Sequence, residues 1–177
     1  FTILIIIPTK GMAQFTQREK DIVNDGNANQ PLRVLKVTDK DDLEILRTKC
    51  EDIEPVTDNH DLMMLIERMY VTMEAEQGVG IAAPQVGVTK NILLFVRTDE
   101  EGYPVEAAIN PRIVGYADNT ICFEGDGCLS IPGISENTIR YPWIDVEYTN
   151  IQGQLVKERL EGYSREGNFA AVILQHE

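Results

Sequence analysis

Three short segments carry the residue types that metal-dependent hydrolysis uses: Gly78-Val79-Gly80-Ile81-Ala82-Ala83-Pro84-Gln85, Asp126-Gly127-Cys128-Leu129-Ser130 and Gln175-His176-Glu177. Such chemistry needs donors that hold a cation, a carboxylate that moves a proton, and amide groups that receive a developing oxyanion. Taken singly, each segment is weak. A Gly-x-Gly turn often just closes a loop, a lone cysteine is usually a small buried hydrophobe, and a His-Glu pair is common by chance. Their joint occurrence in this order is specific.

The three segments resemble the signature motifs of the peptide deformylases: a Gly-x-Gly-φ-Ala-Ala-x-Gln loop, a Glu-Gly-Cys-Leu-Ser loop and a Gln-His-Glu-x-x-His helix. The resemblance runs from about Val34 to the end and extends to Ile109-Asn110-Pro111 and Leu129-Ser130-Ile131-Pro132-Gly133. It implies hydrolysis of the N-formyl group from the N-terminal methionine of new polypeptides. The ligand set it implies is Cys128 and His176, and this thiolate-imidazole pair suits one divalent ion, iron(II) first, with zinc or nickel as alternatives. By the same resemblance, Glu177 is the general base, and the Gln85 amide and the Leu129 backbone N–H stabilise the oxyanion, with Pro84 and Gly87 fixing the loop. Without a Cβ at Gly78 and Gly80, a peptide substrate can lie along the backbone like an added strand. Val79, Phe169, Val172 and Ile173 match positions that line the family's methionine pocket, although the last three would be buried on a core helix in any case.

Two departures stand out. The family's glutamate before Gly-Cys is Asp126 here, one methylene shorter, so an altered hydrogen-bond arrangement is expected. The second histidine of the helix motif, three positions beyond Glu177, is not in this sequence. The expectation is a shortened form of a longer natural chain, with a naturally truncated relative as the alternative; the form as written should fold and hold metal weakly or not at all. Two rival readings follow: an inactive peptide-binding relative on the same fold, and another metal-dependent amidase with a different acyl group or N-terminal residue.

The elements that must position these motifs can be read from periodicity. Between Asp58 and Gln77, Leu62, Leu65, Ile66, Met69, Tyr70 and Met73 follow helical spacing, with Asn59 or Asp58 ready to cap and Gly78 ending the helix. Residues 91–97 and 107–114 read as strands. Ile144, Val146 and Tyr148 alternate with polar residues and lead through Asn150-Ile151-Gln152-Gly153 into Leu155-Val156, which predicts a hairpin. The last segment, from Phe169, has strong helix formers with Asn168 placed to cap. The fold class is therefore α+β, a single domain of antiparallel or mixed sheets packed around a metal-bearing helix. Residues 14–32, polar and rich in turn formers, read as a loose lead-in, which divides the chain into a lead-in over 1–31 and a catalytic domain over 32–177.

Composition narrows the rest. The 177 residues suit one core, and 43% hydrophobic with 25% charged residues is ordinary for a globular chain. A formal charge of −13 would repel a phosphate backbone, so no nucleic-acid groove is expected; the partner is an N-formyl-Met peptide or nascent chain. Three cysteines, Cys50, Cys122 and Cys128, argue against a disulfide framework, and Cys50 and Cys122 read as buried free thiols. His60, among polar neighbours, reads as a solvated or capping residue. No run reaches the roughly 18–20 apolar residues that span a bilayer. The Ile-rich start followed by Gly11-Met12-Ala13 could end a secretory signal, yet a reducing cytoplasm is the simpler expectation.

Overall fold

The computed structural model describes residues 13–177, so the Ile-rich start lies outside the described residues. Four helices and seven strands follow one another: α1 (Gln17–Asn24), α2 (Lys40–Leu46), α3 (His60–Ala75), β1 (Gly80–Ala82), β2 (Ile92–Val96), β3 (Val105–Tyr116), β4 (Ile121–Cys128), β5 (Ile131–Arg140), β6 (Trp143–Thr149), β7 (Leu155–Glu161) and α4 (Ala170–His176). A 3-10 turn, Ala83–Val86, joins β1 towards β2. Five strands form one sheet in the order β1-β2-β3-β6-β7, and β4 and β5 form a separate two-stranded hairpin; both are antiparallel throughout.

The continuous apolar run of β2 is explained by a sheet covered on both faces. Ile92 and Leu94 join a core with Leu62, Leu65, Met69 and Met73 of α3, while Leu93 and Phe95 join a second core with Ala171, Ile173 and Leu174 of α4. Alternation by two then leaves no face of the strand for water. Full burial of each such side chain is worth about 1.5–3 kcal/mol. Ile144, Val146 and Tyr148 are buried as their alternation predicts, and the β6–β7 hairpin pairs Thr149 with Leu155.

Asn59 caps α3, its side chain accepting from the Leu62 N–H. Tyr70, expected on the buried face, is 39% exposed and donates its hydroxyl to Glu74 at 2.7 Å. The helix is ended by Gln77 at φ 56° rather than by a left-handed glycine, and the Gly78 N–H closes onto Met73 O at 2.9 Å.

The segment read as a loose lead-in contains α1. Thr16 and Glu19 form a reciprocal capping box, and Val23 is fully buried where α1 packs against α3. The Glu19 carboxylate also accepts from the Thr89 N–H at 2.9 Å and lies 3.2 Å from Lys90 Nζ; both charged side chains are almost wholly buried. Polarity misled the reading because this glutamate points inward to a buried partner.

Candidate functional site

The β1 loop and the end of α4 meet across a very short gap. A Cβ built at Gly80 would lie 2.6 Å from Glu177 Oε1 and 2.8 Å from Ile173 Cγ2. Gly80 is therefore required by the helix packed on it, in addition to any ligand. The 3-10 turn then closes on Gly87 at φ 86°, and Gln85 is drawn back over the loop, its Oε1 accepting from the Ala82 N–H at 2.8 Å. That bond points the Gln85 amide nitrogen at Ser130 Oγ, 3.4 Å away, and Cys128 Sγ, 3.7 Å away.

Cys128 ends β4 and His176 occupies the last turn of α4. Burial pushes the Cys128 thiol above its ordinary range; the Ser130 and Ile131 N–H groups oppose this, and the Glu177 and Asp126 carboxylates add to it. Glu177 is raised to about 8, first by burial and then by the charge of Asp126, with the Ala82 N–H pulling the other way. Asp126 goes the other direction: burial opposes its charge, but the Thr138 hydroxyl, Arg140 and His176 hold its carboxyl below the usual range. One Asp126 oxygen lies 2.8 Å from His176 Nδ1; the other accepts from Thr138 Oγ1 at 2.7 Å and Arg140 Nη2 at 2.6 Å. Nδ1 thus faces a carboxylate and donates to it, which turns Nε2 to the opposite edge of the ring.

The shorter aspartate is engaged through both of its oxygens. A register shift of β4 against β5 between Phe123 and Asp126, with Gly125 at φ 65°, re-aims Asp126 towards α4.

Cys128, Leu129, His176 and Glu177 line one cleft of about 620 Å³, and Val79, Gly80, Phe169, Val172 and Ile173 line it too. Gln85 does not reach the cleft wall; it is buried behind Cys128 and Ser130. Sequence reasoning missed Phe123, stacked 5.9 Å from Phe169, and Arg165, whose guanidinium lies 4.4 Å over the Phe123 ring and donates to Gly125 O at 2.6 Å. It also missed Thr138, Arg140 and Lys36, which enter through pairing distant in sequence and have no local motif. His60 is exposed at the start of α3, as expected. Cys122, expected buried, is a free exposed thiol because its position on β4 faces away from the core; Cys50 is free and partly buried.

Among the described residues no group of three or more His, Cys, Asp or Glu side chains stands at metal-holding spacing. The donor chemistry nonetheless fits a borderline-soft ion: a thiol and an imidazole share one cleft, and Nδ1 is already engaged by a carboxylate, the usual support of a metal-bound histidine.

An α+β fold carrying a thiol, an imidazole and a carboxylate in a glycine-walled cleft defines the class of small hydrolases. Comparison with known proteins narrows it. The family model described as polypeptide deformylase matches residues 31–177. A peptide deformylase of Thermotoga sp. (strain RQ2) is 40% identical over 133 residues, covering 75% of this chain and 73% of that protein. One from Roseiflexus sp. (strain RS-1) is 34% identical over 158 residues, covering 82% and 80%. The crystal structure of the Thermotoga maritima peptide deformylase superposes with a TM-score of 0.71 at 34% identity, covering 84% of this chain and 89% of that one. A Met-Ala-Ser-bound class I type b deformylase from Acinetobacter baumannii gives 0.72 at 28% identity, covering 84% and 91%. The chain belongs to the peptide deformylase family, whose members are metal-dependent hydrolases.

Proposed function

We propose that this chain hydrolyses the N-formyl group from the N-terminal methionine of nascent polypeptides, and that residues 32–177 form the catalytic unit with α1 packed against it. The observation that carries the reading is the convergence of Cys128, His176 and Glu177 on one cleft, with Asp126 bound to His176 Nδ1. Cys128 and His176 would hold the cation, iron(II) in this reading with zinc or nickel as alternatives. When bound, it supplies Lewis acidity that polarises the formyl carbonyl and acidifies a water.

The protein's own groups do the rest. The peptide lies against the glycine edge of β1, and the methionine side chain enters the apolar wall of Val79, Phe169, Val172 and Ile173. Glu177 takes a proton from the attacking water as the C–O bond forms. The Gln85 amide and the Leu129 N–H receive the charge on the former carbonyl oxygen, and for Gln85 this requires its amide to turn from Ser130 towards the cleft. Glu177 then returns the proton to the amine nitrogen as the C–N bond breaks, releasing formate and a free N-terminal methionine. A carboxyl whose surroundings raise it suits this second step, which needs an acid.

No helix among the described residues is long and apolar enough to cross a membrane; a substrate made at bacterial-type ribosomes favours the cytoplasm in this reading, with an organelle as the alternative. The test is formate release from formyl-Met-Ala-Ser by metal-loaded protein, beside acetyl-Met and formyl-Ala peptides. Rapid release from the first alone supports the reading. Tight binding without release would make the chain an inactive peptide binder, and release from the acetyl peptide would make it a broader amidase.

A further inference from the structure

Gln85 and Leu129 sit on two loops far apart in sequence, and their separation must be set by something other than either loop. The extended stretch 35–37 touches both. The Leu35 N–H donates to Gln85 O at 2.7 Å, the Val37 N–H donates to Ser130 O at 2.9 Å, and between them Lys36 Nζ donates to Leu129 O at 2.7 Å. The Lys36 N–H turns the other way, to Asp42 Oδ2 at 2.9 Å, as alternation along an extended chain requires. Asp42 is buried; Arg33 donates to its carboxylate, and its backbone N–H donates to the Asp39 side chain that caps α2. The strut is thus anchored behind as well as in front.

The Lys36 side chain hydrogen-bonds the loop that carries Leu129, and it does so on a peptide with two functions. The carbonyl it binds belongs to the Leu129–Ser130 peptide, whose N–H faces the Cys128 sulfur. The peptide just before it presents the Leu129 N–H. An ammonium on this carbonyl fixes the plane of the first peptide and thereby the direction of the second, through a charge-assisted bond stronger than a neutral one. The alternative, a plain surface ion pair, is poorly supported: the nearest carboxylate, Glu76, is 3.8 Å away, farther than the carbonyl.

We infer that Lys36 is a positioning residue for deformylation, the side chain of a strut at 35–37 that sets the Leu129 N–H against Gln85 so that both address one oxyanion. The inference rests on the oxyanion reading proposed above. It predicts an effect chiefly on kcat, because Lys36, although it lines the same cleft, donates to the peptide that aims the Leu129 N–H and not to the apolar wall proposed to hold the methionine side chain.

The experiment compares Lys36→Met, Lys36→Arg and Gln85→Ala, singly and with Lys36→Met added to Gln85→Ala, in metal-loaded protein. Lys36→Met keeps the apolar stem and should lower kcat about 10- to 100-fold, with KM, metal content and the Kd for formyl-free Met-Ala-Ser each within about twofold. Lys36→Arg should recover most of the loss, and the effect of Lys36→Met should shrink in the Gln85→Ala background because both act on one contact. Unchanged kcat in Lys36→Met beside a large loss in Gln85→Ala would overturn the inference and leave the oxyanion reading standing. No loss in Gln85→Ala would end both. Loss of metal or of product binding in step with kcat would assign Lys36 a merely structural role and also overturn it.

Discussion

Replacing Asp126 by asparagine keeps the shape of the side chain and removes the charge on which three groups converge. His176 Nδ1, Arg140 Nη2 and Thr138 Oγ1 all lie within 2.8 Å of its oxygens, and the Asp126 side chain is only 7% exposed. An amide has one acceptor oxygen where the carboxylate has two, so it cannot accept from Arg140, Thr138 and His176 as the carboxylate does. Two consequences separate. The first is stability: Arg140 loses its charged partner in a poorly solvated place, and hydrogen bonds to charged groups are worth about 1.5–3 kcal/mol. For a chain of this size that lowers Tm by roughly 4–10 °C in metal-free protein. The second is function: losing the carboxylate that fixes the histidine tautomer typically costs about 10- to 100-fold in metal affinity. Thermal unfolding of the apo protein reads the first, and competition against a chelator of known affinity reads the second. Metal affinity within twofold of the parent, together with the predicted loss of Tm, would refute the claim that Asp126 orients His176 and leave it a purely structural anchor.

Burial opposes the charge of Glu19, but the Thr16 N–H, Lys90 and the Thr89 N–H outweigh it and hold the carboxyl below its ordinary value. Its stabilising contribution is therefore complete above about pH 4.5 and is lost as pH falls through the lower folded value, so Glu19→Gln should flatten the acid limb of a stability-versus-pH curve while costing about 3 kcal/mol at neutral pH, because Lys90 is left with only the exposed Glu51. An acid limb identical to the parent's would show that the pair contributes nothing. Gly80→Ala places a methyl where Glu177 and Ile173 already stand, so formate release should fall at least tenfold and Tm should drop by several degrees; full activity would mean the helix end moves freely. Gln77→Gly removes a left-handed φ from a residue with a side chain and should raise stability by about 1 kcal/mol in denaturant unfolding. Because the Cys128 thiol is raised and Glu177 sits near 8, zinc binding at pH 7 should release at least one proton, seen as a buffer-dependent binding enthalpy; an enthalpy independent of buffer would contradict the thiolate assignment.

What was legible in the sequence is what is encoded locally. The period of Leu62, Leu65, Met69 and Met73 marks α3 because a helix needs only its own spacing to show its buried face. The run Ile92–Val96 marks a doubly covered strand for the same reason. The three motifs were legible because each is a few residues whose neighbours in sequence are also neighbours in space. The β4–β5 hairpin was not read as strands: its burial pattern is largely exposed, so apolar alternation is absent, and glycines at 125 and 133 with positive φ look like turns. Helix α1 was lost to polarity, although Thr16-x-x-Glu19 was a capping box in plain view. The residues that hold the site, Arg140, Thr138, Arg165 and Lys36, are joined to it only by tertiary pairing. No periodicity announces such residues.

The same division explains the electrostatics of the cleft. Asp126, Glu177 and the Cys128 sulfur are three potential anions lining a single cleft of a chain already carrying a net −13. They cannot all be charged without compensation, and their shifts show how the conflict is settled. Asp126 keeps its charge because Thr138, Arg140 and His176 address it directly, whereas Glu177 and Cys128, with fewer partners, are pushed towards their neutral forms. On the proposed reading, a cation held by the thiol and the imidazole would favour the thiolate and would offset the burial that opposes charge on Glu177, which is what a general base there would need. Arg140 is tied to this balance through Asp126, whose one oxygen it donates to while the other faces the His176 imidazole. The glycine wall and the motif residues gather these groups in one place, and the Thr138 hydroxyl, Arg140 and His176 together keep Asp126, not Glu177, the readily ionised carboxyl.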